Sequence, residues 1–285
     1  MEDYWLLLVL IAAFSHAIWN LMLKKSDNKQ IFLWSLEVWT VLLFLPIGIY
    51  FWPEINIPLK DWLFWGIGSS IIHSFYAVIL AKAYEKSDFT LAYPVARGIG
   101  PLIVVMIGST ILNEDVRIAT FFGAIVIILG IYILYSGFSI KAGIKTLKAV
   151  IESPFPILVG IIIASYTIFD KLAVAFIPPI ILYVIENTAQ AIVLGSSLRN
   201  QKKEMMEQWE KHWPKMAIAG GFAGLAYILV LIVLTKIPVS YVSPVRETSI
   251  VIGSILGFLF LKETFTVQKI IGSIVIFTGV TLIIL

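Results

Sequence analysis

Long apolar runs recur along this chain, with only short polar segments between them. Each run has about the 20 residues that a helix needs to cross the hydrocarbon core of a bilayer. We number them spans 1 to 10: residues 4–23, 31–52, 61–83, 90–112, 117–136, 155–176, 178–198, 214–235, 239–261 and 267–285. They are too long and too uniformly apolar for barrel strands, which alternate over about ten residues. We therefore predict an all-α membrane protein with ten transmembrane helices.

The composition agrees with this prediction and leaves little room for a separate soluble domain. Hydrophobic residues make up 59% of the chain and charged residues 14%, whereas a soluble domain has about 25% charged residues. The start, Met1-Glu2-Asp3, lacks the basic region of a cleavable signal peptide, so we expect span 1 to be retained. The chain has no cysteine, no P-loop and no H-E-x-x-H motif. We therefore expect no cofactor, no metal site, no ATP-driven step and no nucleic-acid partner.

Basic residues are distributed unevenly between the two sides that ten spans define. The loops after odd-numbered spans carry 15 of the 21 Lys and Arg residues, the loops after even-numbered spans carry three, and three fall inside spans. Cytoplasmic loops of membrane proteins are enriched in Lys and Arg. We therefore predict that the loops after odd-numbered spans are cytoplasmic, that both termini are outside, and that the protein is a multi-pass protein of the cell (inner) membrane.

Two loops are longer than the others. Residues 137–153 carry lysines at helical spacing, and residues 199–213 contain Trp209 and Trp213, which are typical of membrane interfaces. Both patterns favour amphipathic helices on the anionic leaflet. The alternative is that the two loops are solvated connectors.

The two halves of the chain resemble each other at an offset of about 149–151 residues. Residues 15–20 align with residues 165–170 in spans 1 and 6. The other aligned positions are Glu37 with Glu186, Tyr76 with Tyr227, Arg97 with Arg246, Asn113-Glu114 with Lys262-Glu263, Gly123 with Gly272, and Gly130 with Gly279. Each repeat has five spans, so the second repeat enters the membrane from the opposite side. Inverted repeats are typical of secondary transporters, whose substrate site lies where the repeats meet.

Residues 83–134 and 240–285 both resemble one half of an EamA-type member of the drug/metabolite transporter superfamily. Each contains a proline-bearing span, a Glu after the end of that span, and a following glycine-spaced span. Trp19 stands where the family often has Trp-Gly, and Asn20, Glu37 and Glu186 are departures from the family pattern. The resemblance implies two repeats, residues 1–136 and 154–285, joined by residues 137–153. It also implies transport by alternating access; the family is often drawn with both termini in the cytoplasm.

Several ionisable and aromatic residues fall at bilayer depth, where charged side chains are costly and usually functional. We expect them to line a polar cavity that binds a small molecule. The candidate substrate-binding residues are Trp19, Asn20, Glu37, His73, Tyr76, Tyr93, Arg97, Tyr166, Glu186, Tyr227 and Arg246. The candidate coupling or gating residues are Glu37, Glu186, Asp170 and Glu247.

The buried charges allow two interpretations, which are compatible with each other. In the first, Arg97 and Arg246 bind a carboxylate or phosphate, while Glu37 or Glu186 binds an ammonium group or carries a coupling proton. In the second, Glu37 pairs with Arg97 and Glu186 pairs with Arg246 as two symmetric clamps. Asp170 and Lys171 could likewise neutralise each other near the end of span 6.

The sequence thus favours a secondary active transporter, rather than an enzyme, acting as a monomer on a small molecule. We expect export of a small polar metabolite, an amino acid or related amine. The alternatives are uptake of a small organic cation or a sugar- or phosphate-linked metabolite, and a membrane-embedded enzyme.

Overall fold

The computed structural model describes residues 3–52, 58–86, 89–137, 144, 148, 154–262, 264 and 266–285, and only the backbone of the helical residues between 81 and 94. In this part of the chain the regular structure is entirely helical. Nine helices are long and apolar enough to cross a membrane, and a shorter apolar helix covers Val95–Thr110. The coarse architecture predicted from the sequence is therefore confirmed.

The helices follow the predicted spans in order. Those of the first repeat are α1 (Asp3–Lys24), α2 (Lys29–Tyr50), α3 (Leu59–Asp61), α4 (Gly68–Lys86), α5 (Phe89–Thr110) and α6 (Ile118–Ser136). A π-helical segment, Trp62–Ile67, joins α3 to α4 within span 3. Those of the second repeat are α7 (Phe155–Ala173), α8 (Pro179–Ser197), α9 (Lys202–Leu234), α10 (Val239–Val245), α11 (Thr248–Leu261) and α12 (Val267–Ile284).

Most of the helix packing joins one repeat to the other. Helix α1 packs on α9 and α11, α2 on α8 and α9, α4 and α5 on α7, and α6 on α12. The main helix contacts of the described chain therefore lie between the two repeats.

The contact between α6 and α12 fits an inverted arrangement of the repeats. Gly123 lies against the backbone of Gly279, and Gly130 lies against the backbone of Gly272. The order of these contacts makes the two helices antiparallel. In the repeat, Gly123 aligns with Gly272 and Gly130 aligns with Gly279. Exchanging the two repeats therefore converts the Gly123–Gly279 contact into the Gly130–Gly272 contact. A two-fold axis in the membrane plane produces such a pattern.

Matching backbone conformations follow span 4 and span 9. Asn113 and Lys262 have positive φ angles of 51° and 56°, and no other non-glycine residue in the described part of the chain does. Lys262 directly follows α11 in the left-handed conformation that commonly terminates helices, and Asn113 lies three residues after the end of α5. Since these two residues align in the repeat, the duplication extends to the local backbone.

The segment at residues 199–213 differs from the prediction of a separate surface helix. After a short 3-10 turn at Arg199–Gln201, it forms the first part of the 33-residue helix α9, which continues through Pro214. The Trp209 ring stacks on Trp39 of α2, and its Nε1 donates a hydrogen bond to Ser35 Oγ at 2.7 Å. This packing supports the helix across a proline that would otherwise favour a break. Almost all of residues 137–153 lies outside the described residues, so the other predicted amphipathic helix stays a prediction.

The end of α5 is tied to the start of α10 through Glu114. Its carboxylate accepts hydrogen bonds from the backbone N–H groups of Val239 and Ser240, at 2.7 and 3.0 Å, and from the Ser240 hydroxyl. A carboxylate satisfies the free N–H groups at a helix N-terminus and interacts favourably with the helix dipole. Glu114 therefore connects the first repeat to span 9 of the second.

Span 9 is not one continuous helix. Helix α10 ends at Val245, Arg246 and Glu247 form a turn, and α11 begins at Thr248. Across the turn the backbone hydrogen bonds tighten from i−4 to i−3, since Glu247 N bonds to Pro244 O and Ser249 N bonds to Arg246 O, both at 3.0 Å. The interruption therefore falls at the two charged residues of the span.

Candidate functional site

Three ionisable side chains from three helices meet at a buried point, which we call the acidic cluster: His73 of α4, Asp170 of α7 and Glu186 of α8. His73 Nε2 lies 2.9 Å from Asp170 Oδ2 and 3.6 Å from Glu186 Oε2. The exposed fraction is 6% for His73 and 0% for both acidic residues. Glu186 lies about two turns into α8, which places the cluster roughly 10 Å along that helix.

Ser69 joins the two carboxylates of the acidic cluster on the side away from His73. Its hydroxyl oxygen lies 2.5 Å from Asp170 Oδ1 and 2.7 Å from Glu186 Oε1. Ser69 and His73 are one helical turn apart on α4, so they present their polar atoms on the same face. Each carboxylate therefore has one oxygen at Ser69 and its other oxygen toward His73.

Tyrosines of α4, α7, α8 and α9 surround the acidic cluster. The Tyr166 ring lies against His73 with a centroid distance of 4.4 Å and contacts Tyr76 edge-on. The Tyr227 hydroxyl donates a hydrogen bond to Asp170 Oδ2 at 2.5 Å, and its ring packs against Tyr183. These rings form an apolar wall with polar tips, which suits the binding of a small organic molecule.

Arg246 lies against the ring of Tyr227. Its guanidinium carbon is 5.2 Å from the centre of the Tyr227 ring, a cation–π distance. Within the described chain, no carboxylate lies within ion-pair distance of Arg246. Tyr227 is thus in contact with a cationic group through its ring and with the acidic cluster through its hydroxyl.

Arg97 pairs with Glu247, a neighbour of Arg246 in sequence. Its Nε lies 3.0 Å from Glu247 Oε2, and its Nη2 donates a hydrogen bond to Ser249 Oγ at 3.1 Å. Arg97 is 9% exposed and Glu247 is 3% exposed. The pairs that the symmetric clamps required, Glu37 with Arg97 and Glu186 with Arg246, are wrong. The interruption of span 9 turns Glu247 toward Arg97, so the ion pair forms between the repeats at non-equivalent positions.

The suggested neutralisation of Asp170 by Lys171 is also wrong. The Lys171 Nζ donates to the carbonyl oxygens of Leu234 and Ile237, at 2.6 and 3.0 Å, and so caps the end of α9. Adjacent residues on a helix point about 100° apart. Asp170 can therefore face the acidic cluster only while Lys171 faces elsewhere.

The remaining predicted site residues lie in different surroundings. Trp19 contacts His16 edge-on and packs against the apolar cluster of α2 and α9. The Asn20 side chain donates to the carbonyl of His16 at 2.8 Å. Glu37 has a buried Oε2 with no hydrogen-bond partner in the described chain. The side chain of Tyr93 lies outside the described residues.

The structure thus brings six of the predicted residues together at the acidic cluster and its wall: His73, Tyr76, Tyr166, Asp170, Glu186 and Tyr227. It adds Ser69 and Tyr183, which the candidate list did not include. Ser69 falls one helical turn before His73 in span 3, and this spacing was the available signal. No comparable signal marked Tyr183.

We expect the Arg97–Glu247 pair to show strong coupling in stability measurements. Arg97→Ala leaves Glu247 buried without its cation, which typically costs about 3–5 kcal/mol, whereas losing both partners costs less. The double variant should therefore be more stable than the sum of the single variants predicts. Thermal unfolding of the purified protein in detergent, for both single variants and the double variant, measures the difference. Additive effects would show that the two side chains do not interact.

Comparison with known proteins agrees with this arrangement. A family model described as the EamA-like transporter family matches residues 3–136 and again residues 154–285. The chain belongs to the EamA-like transporter family. It is therefore a multi-pass membrane transporter of the drug/metabolite transporter superfamily, as the resemblance of its two halves implied.

Solved structures share the fold. One titled "Crystal structure of protein" matches over 99% of this chain and 96% of its own, with a TM-score of 0.75 and 16% sequence identity. At that identity the likeness concerns the fold alone. No curated protein matches the chain in sequence.

Proposed function

We propose that this transporter moves a small amphoteric metabolite, an amino acid or a related amine, by alternating access between its two repeats. In this proposal Arg246 binds the substrate carboxylate, and the acidic cluster attracts the substrate amine. The tyrosine wall packs on the body of the substrate.

The observation that carries the proposal is the position of Tyr227 between opposite charges. Arg246 faces its ring, while Asp170 accepts its hydroxyl hydrogen bond. An amphoteric molecule at this wall can satisfy both charges at once. The forked guanidinium of Arg246 matches a carboxylate in geometry and charge.

The packing of the repeats supports alternating access. The substrate residues come from both repeats, so a rocking of one repeat against the other changes access to the site. The interruption of span 9 at Arg246 and Glu247 adds to this, because discontinuous helices commonly form the binding sites of transporters.

The proposal is tested by counterflow in proteoliposomes with a panel of radiolabelled amino acids, amines and organic phosphates. We expect exchange of at least one amino acid or amine. Loss of a hydrogen bond to a charged group costs about 1.5–3 kcal/mol, so Arg246→Ala should lower the transport efficiency about 10- to 150-fold. Arg117→Ala is the matched control, because Arg117 binds carbonyl oxygens at the end of α12, outside the site. The proposal fails if no amino acid or amine exchanges, or if Arg246→Ala transports as well as the wild type.

The same liposomes address the alternatives. Exchange restricted to organic cations or phosphates would favour the uptake alternative, and chemical conversion of the recovered label would indicate an enzyme. Export and proton coupling stay predictions from the sequence. Export is tested by loading the substrate on one side only. Proton coupling is tested by imposing a pH gradient on the wild type and on Glu37→Gln.

A further inference from the structure

The acidic cluster has the arrangement of a metal-ligand set. One nitrogen and two carboxylate oxygens, from His73, Asp170 and Glu186, lie within 4.8 Å of one another on three different helices. All three side chains are buried. Nitrogen and carboxylate oxygen are common ligands of zinc and similar transition-metal ions.

Two distances between the ligand atoms lie close to those around a tetrahedral ion. Zinc binds histidine nitrogen and carboxylate oxygen at about 2.0–2.2 Å, so neighbouring ligand atoms around it are roughly 3.3–3.6 Å apart. His73 Nε2 is 2.9 Å from Asp170 Oδ2 and 3.6 Å from Glu186 Oε2. Shifts of a few tenths of an ångström would open the first distance, and the second already fits.

The surrounding residues hold the candidate ligands in place. Ser69 contacts the outer oxygens of both carboxylates, which leaves Asp170 Oδ2 and Glu186 Oε2 directed toward His73. The Tyr166 ring packs on the imidazole, and the Tyr227 hydroxyl lies at Asp170 Oδ2. Metal sites depend on outer groups of this kind, which orient the ligands.

The charge balance of the cluster also leaves room for a cation, because two buried carboxylates face the single imidazole of His73. Glu186 is fully buried, and its Oε2 has no hydrogen-bond partner in the described chain. Lys171 is turned toward backbone carbonyls, and the Arg97 guanidinium is in contact with Glu247 and Ser249. In the described chain, no lysine or arginine pairs with either carboxylate of the cluster. Two carboxylates at bilayer depth are costly unless a cation balances them.

We propose that His73, Asp170 and Glu186 bind a divalent transition-metal cation of the zinc class. Magnesium is a poor fit, because it prefers octahedral oxygen ligands and retains several of its waters. Since α4 belongs to the first repeat and α7 and α8 to the second, the bound ion links the two repeats. Zinc should therefore slow the exchange between states that the proposed transport cycle requires.

Binding is tested on the purified, chelator-treated protein in detergent, prepared without a histidine tag. We expect zinc chloride, but not magnesium chloride, to raise the unfolding temperature by several degrees, because a ligand that binds only the folded state stabilises it. Cobalt chloride should give the visible absorption of a tetrahedral site. Ser69→Ala should weaken zinc binding about 10- to 100-fold, as loss of an outer group typically does. Glu186→Gln should weaken it further.

Two variants serve as matched controls. Glu37→Gln removes the buried carboxylate at the aligned position of the other repeat, and His212→Gln removes a histidine of the N-terminal part of α9. Both should keep the zinc shift and the cobalt spectrum. The proposal is overturned if the wild type shows no zinc shift, or if Glu186→Gln and His73→Gln retain it while remaining folded by circular dichroism. Because binding is measured without transport, failure of the metal site leaves the transport proposal standing, and the reverse also holds.

Discussion

Gly279→Ala is expected to destabilise the protein by about 1–3 kcal/mol, although alanine is the better helix former by about 1 kcal/mol. A Cβ atom at Gly279 would lie 2.6 Å from Gly123 O, 2.7 Å from Ile127 Cγ1 and 2.8 Å from Ile127 N. Two of these three atoms belong to the α6 backbone, so they move only if the whole helix moves. In lipid, helix association depends on close packing rather than on the hydrophobic effect, and a wider gap loses that packing.

The chain offers a control for this prediction in α11. A Cβ atom at Gly253 would meet nothing within 4 Å, so Gly253→Ala should be neutral or slightly stabilising. In the same detergent the unfolding temperature should therefore fall for Gly279→Ala and stay level or rise slightly for Gly253→Ala. Equal shifts would mean that the α6–α12 contact does not limit stability. By the two-fold relation, Gly130→Ala should behave like Gly279→Ala.

The spans and the repeat could be predicted because both leave a direct trace in the sequence. A helix in lipid must be apolar over about 20 residues, and this requirement fixed nearly every span within a few residues. The aligned pairs of arginines and glycines revealed the duplication. In the structure Gly123 and Gly130 pack against the aligned glycines of the opposite repeat, a contact that the alignment alone did not predict.

The partners of the charged residues could not be predicted in the same way. Helical spacing indicates which residues share a face, but it does not identify the helix that they contact. The symmetric pairing was attractive because both members of each pair are repeated. Glu247 aligns with Gly98, however, and the Arg97–Glu247 pair has no counterpart in the repeat. Asp170 likewise aligns with Asn20, so the two-fold relation does not produce a second acidic cluster.

The boundary of span 8 shows a further limit. Pro214 and the charged segment before it favour the end of a helix at that point. The contact that extends α9 comes from the stacking of Trp209 and Trp213 on Trp39. These residues are far apart in sequence, and the local pattern contains no information about their contact.

Asp170→Ala is expected to destabilise the metal-free protein by about 3–5 kcal/mol, the usual result of removing one partner from a buried charged network. Asp170 accepts hydrogen bonds from Ser69 and Tyr227 and is paired with His73. Asn20→Ala is the control at the aligned position, where the side chain bonds only to the backbone of its own helix. We expect its effect to be near 1 kcal/mol or less. Unfolding in detergent with a chelator present measures both variants.

Two effects oppose each other in Asp170→Ala. Removing a carboxylate from bilayer depth relieves a desolvation cost of about 2.5–3.5 kcal/mol on insertion scales. Against this, each buried donor that loses its partner costs about 1–3 kcal/mol, and both the Tyr227 hydroxyl and His73 Nε2 are affected. The native carboxylate also has its hydrogen bonds in place, so much of its desolvation cost is already offset in the folded protein. The loss of partners should therefore outweigh the relief. An unfolding temperature equal to or above that of the wild type would show that Asp170 is strained in its site, held there for function at the expense of stability.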